Sequence, residues 1–331
     1  MPYNIDELTM QDNSQEEQYR TREIFEVLKE KAINNEFISE HEADFFCSGV
    51  RLSFLDDGKI EDYSCCSNYK FVSLYLDYYR DLSGHSNYEK IRGVGVYNPG
   101  INEIKKDVAY LNNVKNHWAS IVSITNHSNE LLKHISKEAR EDLKSVERNK
   151  GKLLFKREKD KYAIDKMKVL LQSKFIYCLA LKIFEMHSSD DFILNLNGHD
   201  IEFNEYSITH ILSRHFAEIT RPNPNRSFHN ENFIPRQLNI QLKSILEAIN
   251  NSGVYANQPI QKIAFKFQNK DYLIWTNEQT KQVAGIGNIN YIRLETFYPI
   301  ENRVDIQDLN TNYTLVQINE EISVYLKNDL I

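Results

Sequence analysis

The chain has 331 residues and a formal charge of −7, with 40 Lys plus Arg against 47 Asp plus Glu. Aromatic residues make up 11%, which is enough large apolar surface for a buried core and excludes a wholly disordered chain. The 11 Gly and 7 Pro are too few for a collagen-like or low-complexity protein. At about 150 residues per domain, the length predicts two domains.

No segment has the length and apolarity of a membrane span. The most apolar stretch, 175–184, is interrupted by Lys182, whereas a spanning helix needs about 20 apolar residues. The first residues lack the basic and apolar regions of a secretory signal, and the four Cys do not form a disulfide framework. We therefore expect a protein that folds in a reducing cytoplasm and acts there or in the cytoplasm of a target cell.

The first half of the sequence has helical periodicity. Residues 14–35 predict an amphipathic helix, with Ser14 and Glu17 as a capping box. Further helices are expected over 69–82, over 103–118, and as a long pair within 130–185 that breaks near 149–151. We assign residues 1–188 to a helical domain that delivers, regulates or recognises a target.

The pattern changes at the polar break 188–191, where we place the domain boundary. Strands are expected over 192–196 and 199–203 with a turn at Asn197-Gly198, and over 261–268, 271–276, 290–298 and 313–318; helices are expected over 207–219, over 237–250 and at the C-terminus. The sequence therefore predicts an α+β fold, in which the helical region precedes a small antiparallel sheet with packed helices, the domain 189–331.

Charge is unevenly distributed between the two halves. Residues 133–168 carry 13 Lys or Arg against 7 Asp or Glu, which is typical of an exposed helix face and also suits a surface for nucleic acid or an acidic partner. Residues 190–331 carry 12 Lys or Arg against 17 Asp or Glu, a net charge of −5. Proteins that bind nucleic acids are usually basic. The acidic second half is therefore expected to contact only a small part of any RNA, or to rely on the first half for a positive surface.

Histidines concentrate in the second half, where four of the ten fall between His199 and His229. The helix expected over 207–219, with Ser207 as its N-cap, carries two of them. His215 lies in the middle of its apolar stripe, and a histidine there needs a partner for its second nitrogen. The polar side carries His210 and Arg214 together. The segment has two interpretations. It is a functional cluster, or it is a buried structural histidine that lies beside surface polar residues.

The strand 290–298 provides a counterpart to this helix. Strict alternation puts four side chains on one face of it: Ile292, Leu294, Thr296 and Tyr298. Because Pro299 ends the strand, Thr296 and Tyr298 are expected to emerge at its end on the side of the covering helix. A strand that simply runs out into a loop is the alternative. On the strand 261–268, Lys266 is a candidate acid or an ordinary solvated residue.

Other motifs are weak. Four side chains could be imagined as zinc ligands but lack paired CxxC spacing: His41, Cys47, Cys65 and Cys66. Gly285-Ile-Gly287 lacks the third glycine and the strand-to-helix context of a dinucleotide site. No Walker loop and no HExxH occurs. The sequence therefore predicts neither a resident metal nor a cofactor.

Residues 190–310 resemble the phage and polymorphic-toxin nuclease domains grouped as barnase–EndoU–colicin–RelE-like. The resemblance rests on the helix motif HILSRH, 210–215, and the strand motif LETFYP, 294–299, in the order strand pair, helix, helix, hairpin and strand. It implies a small α+β domain and ribonuclease activity without a metal. Nothing comparable covers residues 1–189.

By motif match, the resemblance assigns site residues to the helix and to the closing strand. RNA cleavage without a metal needs a base for the 2′-hydroxyl, an acid for the leaving oxygen and donors for the phosphate, and imidazole suits the first two roles. The resulting hypothesis is His215 as base, His210 or Lys266 as acid, Arg214 and Thr296 as phosphate donors, and Tyr298 as a stacking or donor group.

Three functions remain open from the sequence. The first is a ribonuclease toxin or phage-defence effector, whose partners are RNA, with tRNA among the candidates, and a cognate inhibitor or immunity protein. The second is a binding or regulatory module, whose helical half engages a protein or nucleic acid and whose histidine helix is structural. The third is another transferase or nuclease that uses the same pocket.

Overall fold

The structure, a computed structural model, describes residues 2–9, 14–34, 90–92, 95–97, 101–148, 156–216, 227–229, 232–283 and 285–330, with the single positions 11, 39, 41, 42 and 45. These residues fall into two compact units, one within 2–182 and the other within 183–330. The helix predicted over 69–82 lies outside the described residues.

The first unit is built mainly from helices. They are α1 (Ile5–Leu8), α2 (Gln15–Asn34), α3 (Ile101–Ser123), α4 (Glu130–Glu147) and α5 (Lys156–Met186), whose last turn belongs to the second unit. The helices predicted over 14–35, over 103–118 and within 130–185 are confirmed. A two-stranded antiparallel pair, β1 (Lys90–Arg92) and β2 (Gly95–Tyr97), was not predicted.

Local signals and burial account for these helices. The Ser14 hydroxyl accepts a hydrogen bond from the Glu17 backbone at 3.2 Å, as predicted for the start of α2. Between α3 and α5, the buried indole of Trp118 donates to the Ser173 hydroxyl at 2.9 Å. The Trp118 and Tyr177 rings also pack 5.2 Å apart. An aromatic side chain whose N–H is satisfied therefore joins these two helices.

The second unit contains one seven-stranded sheet. Its strands are β3 (Ile193–Leu196), β4 (His199–Glu202), β5 (Lys262–Phe267), β6 (Lys270–Val283), β7 (Gly287–Pro299), β8 (Tyr313–Gln317) and β9 (Ile322–Lys327). Their order is β3-β4-β7-β6-β5-β9-β8, and every neighbouring pair is antiparallel except β4 and β7. The mixed class with a mostly antiparallel sheet is as predicted, but the expectation of a small sheet is wrong.

The sheet is larger than predicted because the end of the chain adds another strand. The helix expected after 313–318 is instead the strand β9, whose burial alternates residue by residue, with Ile322, Val324 and Leu326 buried. This period of two is a strand signal. A single 3₁₀ turn, Asn328–Leu330, follows it. The helix α8 (Arg303–Asn312), between β7 and β8, was also not predicted.

The histidine helix differs from its prediction in where it begins and how it continues. The α-helix α6 spans Glu205–Ile211 and is capped by the Asn204 side chain, so Ser207 is not the N-cap. A π turn, Leu212–Phe216, continues it. Because the π turn is wider than an α turn, it changes the direction of every side chain after Ile211. The predicted continuation over 217–219 lies outside the described residues.

Two further segments agree with the sequence. The helix predicted over 237–250 is α7 (Leu238–Ser252). The turn between β3 and β4 has positive φ at both central residues, 53° at Asn197 and 73° at Gly198. This backbone is the one that a two-residue hairpin needs, and it explains the Asn-Gly pair.

A β-bulge interrupts β7 close to the predicted site. Thr296 pairs with Trp275 and Leu294 pairs with Thr276, so Glu295 is the extra residue with no backbone partner on β6. The alternation therefore changes phase, so Leu294 shares a face with Phe297, and both are fully buried. The prediction that Leu294, Thr296 and Tyr298 share one face is wrong for this reason.

The register then assigns the two faces of the sheet. On one face, Phe265, Tyr272 and Phe297 lie side by side across β5, β6 and β7. The opposite face carries Lys262, Ala264, Leu273, Trp275, Thr296 and Tyr298. Leu309 of α8 packs against Ala264 and Leu273 on that second face. Thr296 and Tyr298 therefore lie on the face that α8 partly covers.

Candidate active site

The candidate site lies beside β7, beyond the end of its pairing with β4. The two strands pair only at Ile201 with Ile292 and at Glu202 with Arg293. Past that point the π turn after α6 and the segment 227–229 approach β7. Both π turns and bulges interrupt regular hydrogen bonding, and both are common at functional sites.

His215 is held in one tautomer by its hydrogen bonds. Its Nδ1 lies 3.0 Å from the Ser227 carbonyl oxygen, and a carbonyl can only accept, so Nδ1 carries the proton. In the neutral ring Nε2 is then a hydrogen-bond acceptor. Nε2 lies 3.0 Å from the Thr296 hydroxyl, which therefore donates to it. The arrangement is a hydroxyl bound to an oriented imidazole base, and the proximity predicted for His215 and Thr296 is confirmed.

Tyr298 forms the next contact of His215. The two rings stack with centroids 5.2 Å apart and planes 21° apart. The phenol oxygen accepts from the Trp275 indole at 3.2 Å and donates to the Asp305 carboxylate at 3.3 Å. Burial raises the pKa of the Tyr298 phenol, and the nearby Asp305 acts in the same direction. The hydroxyl therefore remains protonated at neutral pH and can act as a donor.

His229 lies next to His215 but has a different role. Its Nε2 donates to the Phe297 carbonyl oxygen at 3.0 Å, and its ring packs against Phe216 with centroids 4.5 Å apart. Burial lowers the pKa of the His229 imidazole to about 3, although the bond to Phe297 opposes this shift. His229 is therefore neutral near pH 7, and it is a structural donor rather than a proton carrier.

The main chain ties these two histidines together. The His229 backbone N–H donates to the His215 carbonyl oxygen at 2.8 Å. The same short segment also supplies the Ser227 carbonyl that orients the His215 ring. The segment 227–229 thus fixes both the backbone and the tautomer of His215.

The second predicted histidine, His210, is also a neighbour of His215. Their ring centroids are 6.3 Å apart, with planes at 71°. His210 also stacks on Tyr206, at 5.6 Å with planes 7° apart. The Arg293 guanidinium lies 3.9 Å from the centroid of the Tyr206 ring and pairs with Glu295 at 2.8 Å. Contacts between planar groups therefore connect Arg293 to Tyr298 through both histidines, and the two histidine rings meet edge to face.

The remaining two predicted residues differ in position. Arg214 is only 9% exposed, so it does not lie on a solvent-exposed polar side as predicted. The π turn accounts for this, since it rotates Arg214 away from the α-helical position. Lys266 lies on β5, two strands from β7, and pairs with Asp271 at 3.6 Å. At about 4.8 Å per strand, it is not part of the cluster around His215.

Sequence reasoning missed four residues of this site. Trp275, Asp305 and Ser227 contact the predicted residues directly. His229 belonged to the histidine-rich stretch but had no assigned role. Ser227 acts through its backbone carbonyl, for which no side-chain signal exists. Trp275 could have been found from its place opposite Thr296, had the bulge been known.

Two further properties concern the described residues as a whole. None of their helices is long and apolar enough to cross a membrane. Across the same stretches of chain, no three His, Cys, Asp or Glu side chains are grouped so that they could hold a metal ion. Of the zinc candidates, Cys47, Cys65 and Cys66 lie outside these stretches.

No protein-family model, curated protein or solved structure matches the chain. Its function is therefore inferred from the chemistry of the side chains around His215.

Proposed function

We propose that the chain is a metal-independent ribonuclease and that residues 189–331 form a nuclease domain of the barnase–EndoU–colicin–RelE-like kind. One observation carries the proposal. The Nε2 lone pair of His215 is fixed by the Nδ1–H bond to Ser227 and points at the hydroxyl of Thr296. An imidazole that is oriented from behind and faces a hydroxyl is the geometry of a general base.

In the proposed reaction the substrate 2′-hydroxyl replaces the Thr296 hydroxyl at Nε2 of His215. Nε2 takes the proton, the 2′-oxygen forms a bond to phosphorus, and the bond from phosphorus to the 5′-oxygen breaks. The leaving oxygen takes a proton from His210. The products are a 2′,3′-cyclic phosphate and a 5′-hydroxyl. The two ring centroids lie 6.3 Å apart, so a phosphate placed beside the pair is within reach of both imidazoles.

Neighbouring groups support charge development on the phosphate. Once displaced from His215, the Thr296 hydroxyl is free to donate to a phosphate oxygen. We assign Arg214, which lies on the same π turn, as a second donor to the phosphate, and fixed donors of this kind are worth about 10²–10³-fold in rate. Tyr298 supports the face of the His215 ring. The base, the acid and the donors thus come from one helix and one strand.

The acidic surroundings favour a narrow substrate contact. Near the site, Arg293 pairs with Glu295 and Lys262 pairs with Asp308, so both cations are neutralised. We propose that the domain binds a few nucleotides around one phosphate, with residues 1–188 recognising or delivering. This organisation suits a toxin or effector that acts on RNA in a cytoplasm and is controlled by a cognate inhibitor.

The test is RNA cleavage by the purified full chain in the presence of EDTA, with the product ends identified. We expect 2′,3′-cyclic phosphate ends and about a 10²-fold or greater loss of rate for His215→Asn. This substitution keeps an amide donor near the Ser227 carbonyl but removes the base. The matched control is His199→Asn, at an exposed histidine on β4.

Three results would count against the proposal. Loss of activity on chelation with recovery on adding magnesium would exclude the metal-independent mechanism. Cleavage at the wild-type rate by the folded His215→Asn variant would show that His215 is not the general base. A folded wild-type chain that cleaves no RNA would leave the binding-module function.

A further inference from the structure

Trp275 is exposed directly beside the proposed catalytic hydroxyl. The chain has two tryptophans; Trp118 is 1% exposed, whereas Trp275 is 38% exposed. Trp275 is the cross-strand partner of Thr296, so the two side chains share a face with Cβ atoms about 5 Å apart. A large aromatic ring is therefore open to solvent one strand away from the group that binds His215.

Hydrogen bonding fixes the orientation of this ring. The indole Nε1 of Trp275 donates to the Tyr298 hydroxyl at 3.2 Å, and Tyr298 stacks on His215. The indole is thus connected to the His215 imidazole through Tyr298, and its N–H edge is held by a hydrogen bond. An aromatic ring that is already immobilised loses little entropy when a second planar group stacks on it.

The charges around Trp275 are balanced. The Lys262 ammonium lies 5.5 Å from the centroid of the Trp275 ring, but it is hydrogen-bonded to Asp308 at 2.6 Å. A phosphate would meet a neutralised cation and the Asp308 carboxylate here. A neutral, flat group that gains from stacking fits better, and in RNA that group is the nucleobase.

We propose that Trp275 is the stacking platform for an unpaired nucleobase next to the scissile phosphate, so that the substrate is single-stranded RNA. This inference rests on the proposed ribonuclease function. A base inside a duplex has both faces covered, so only a single strand, a loop or an end can reach the indole. Stacking tolerates every base, and the platform therefore selects unpaired RNA rather than a sequence.

The test uses the two tryptophans as an internal probe of binding without cleavage. A single-stranded oligodeoxynucleotide lacks the attacking 2′-hydroxyl, so it binds uncleaved. We expect it to quench the fluorescence of the exposed Trp275, and we expect no quenching from the same sequence as a duplex or from an abasic strand. Trp275→Ala should weaken binding, followed by anisotropy of a labelled strand, and raise KM on single-stranded RNA by about 5- to 150-fold with kcat nearly unchanged.

Two control variants separate stacking from folding. Trp275→Phe keeps an aromatic face and should retain most of the affinity. Leu315→Ala truncates another exposed apolar residue, on β8 and four strands from β7, and should bind like the wild type. Both variants and Trp275→Ala should unfold cooperatively near the wild-type temperature.

The outcomes distinguish this inference from the proposed function. Wild-type cleavage with no quenching, or with an unchanged KM in Trp275→Ala, would overturn the platform and leave the ribonuclease. Equal binding of duplex and single strand would overturn it as well. If single-stranded DNA quenches the fluorescence of Trp275 but the protein cleaves no RNA, the stacking platform is supported and the proposed nuclease function is overturned.

Discussion

The Nε2–H of His229 donates to the carbonyl oxygen of Phe297 at 3.0 Å, where β4 no longer pairs with β7. A second side chain does the same nearby, since the Ser207 hydroxyl donates to the Leu294 carbonyl oxygen at 2.5 Å. Ser207 and His229 thus supply, through their side chains, hydrogen bonds that a neighbouring strand would otherwise make to this stretch of β7. The folding of the sheet edge and the geometry of the site therefore depend on the same bonds.

The first prediction concerns the stability of the fold against acid. His229 has a folded pKa of about 3, against about 6.5 in an unfolded chain. Above pH 6.5 both states are neutral and the contribution of His229 is fully present. Below it only the unfolded state takes up the proton, so stability falls by about 1.4 kcal/mol per pH unit until about pH 3. Urea denaturation between pH 7.5 and pH 5 measures this slope.

His229→Gln is the control for this prediction. Glutamine keeps an amide donor near the position of Nε2 but cannot titrate. We expect its stability to fall less steeply with acid than that of the wild type, and its stability at pH 7.5 to be lower because the aromatic packing is lost. Equal slopes in the two proteins would show that His229 is not the group that titrates.

Much of the fold was readable from the sequence, because the elements have clear periodicity and end signals. The hairpin at Asn197-Gly198 and the helix α7 are examples. The sequence also predicts that His215 and Thr296 lie close together, although not the hydrogen bond between them. The sequence predicts only the inner part of the long hairpin β6–β7, because most residues of its outer part, 277–283 and 285–291, are polar and none of them is buried.

The features that sequence reasoning missed are breaks in regular periodicity. The bulge at Glu295 and the π turn after Ile211 each shift the direction of later side chains. Periodicity assumes an unbroken repeat, so it put Arg214 at a polar surface although the guanidinium is buried. Both breaks lie close to tertiary contacts with β7, such as the bond from Ser207 to Leu294, and such contacts leave no local pattern in the sequence.

The second prediction concerns the hydroxyl that faces His215. Thr296→Val replaces the hydroxyl with a methyl group of similar size, so His215 loses its bound donor and the phosphate loses a hydrogen bond. We expect about a 10²-fold lower kcat and a loss of about 1 kcal/mol in the free energy of unfolding. Thr296→Ser retains the hydroxyl and should stay close to wild-type activity. Equal activity of the two variants would remove Thr296 from the mechanism.

The third prediction decides between the two candidate acids. His210 lies 6.3 Å from His215, whereas Lys266 is paired with Asp271 two strands away. We expect His210→Ala to lower kcat on RNA by about 10²–10⁴-fold and Lys266→Ala to leave it nearly unchanged. The reverse result would assign the acid to Lys266.

A substrate with a better leaving group makes this test specific. A nucleoside 3′-aryl phosphate releases a phenolate that needs no proton. If His210 is the acid, His210→Ala should cleave this substrate at close to the wild-type rate, while His215→Asn should still be slower by about 10²-fold or more. An equal loss on both substrates would show that His210 supports the structure of the site instead of donating a proton.

The fourth prediction separates the ring of Tyr298 from its hydroxyl. The ring stacks on His215, while the hydroxyl bridges Trp275 and Asp305. Tyr298→Phe keeps the stacking, so we expect kcat within a few-fold of wild type and a loss of about 0.5–1.5 kcal/mol in the free energy of unfolding. Tyr298→Ala removes the support of the His215 ring and should lower kcat strongly.

Alkaline unfolding checks the same contact. Because burial raises the pKa of the Tyr298 phenol above its ordinary value of 10.0, the stabilising neutral form is present in both states below pH 10. Above pH 10 the phenol ionises first in the unfolded state, which stabilises that state. The contribution of Tyr298 therefore decreases and is lost once the pH has risen through the folded pKa. The stability difference between wild type and Tyr298→Phe should therefore shrink above pH 10. Tyr255 and Tyr325, whose phenols have raised pKa values as well, are present in both proteins, so the comparison isolates Tyr298. If the difference in unfolding free energy between the wild type and Tyr298→Phe stays constant above pH 10, the fold does not hold the Tyr298 phenol in its neutral form.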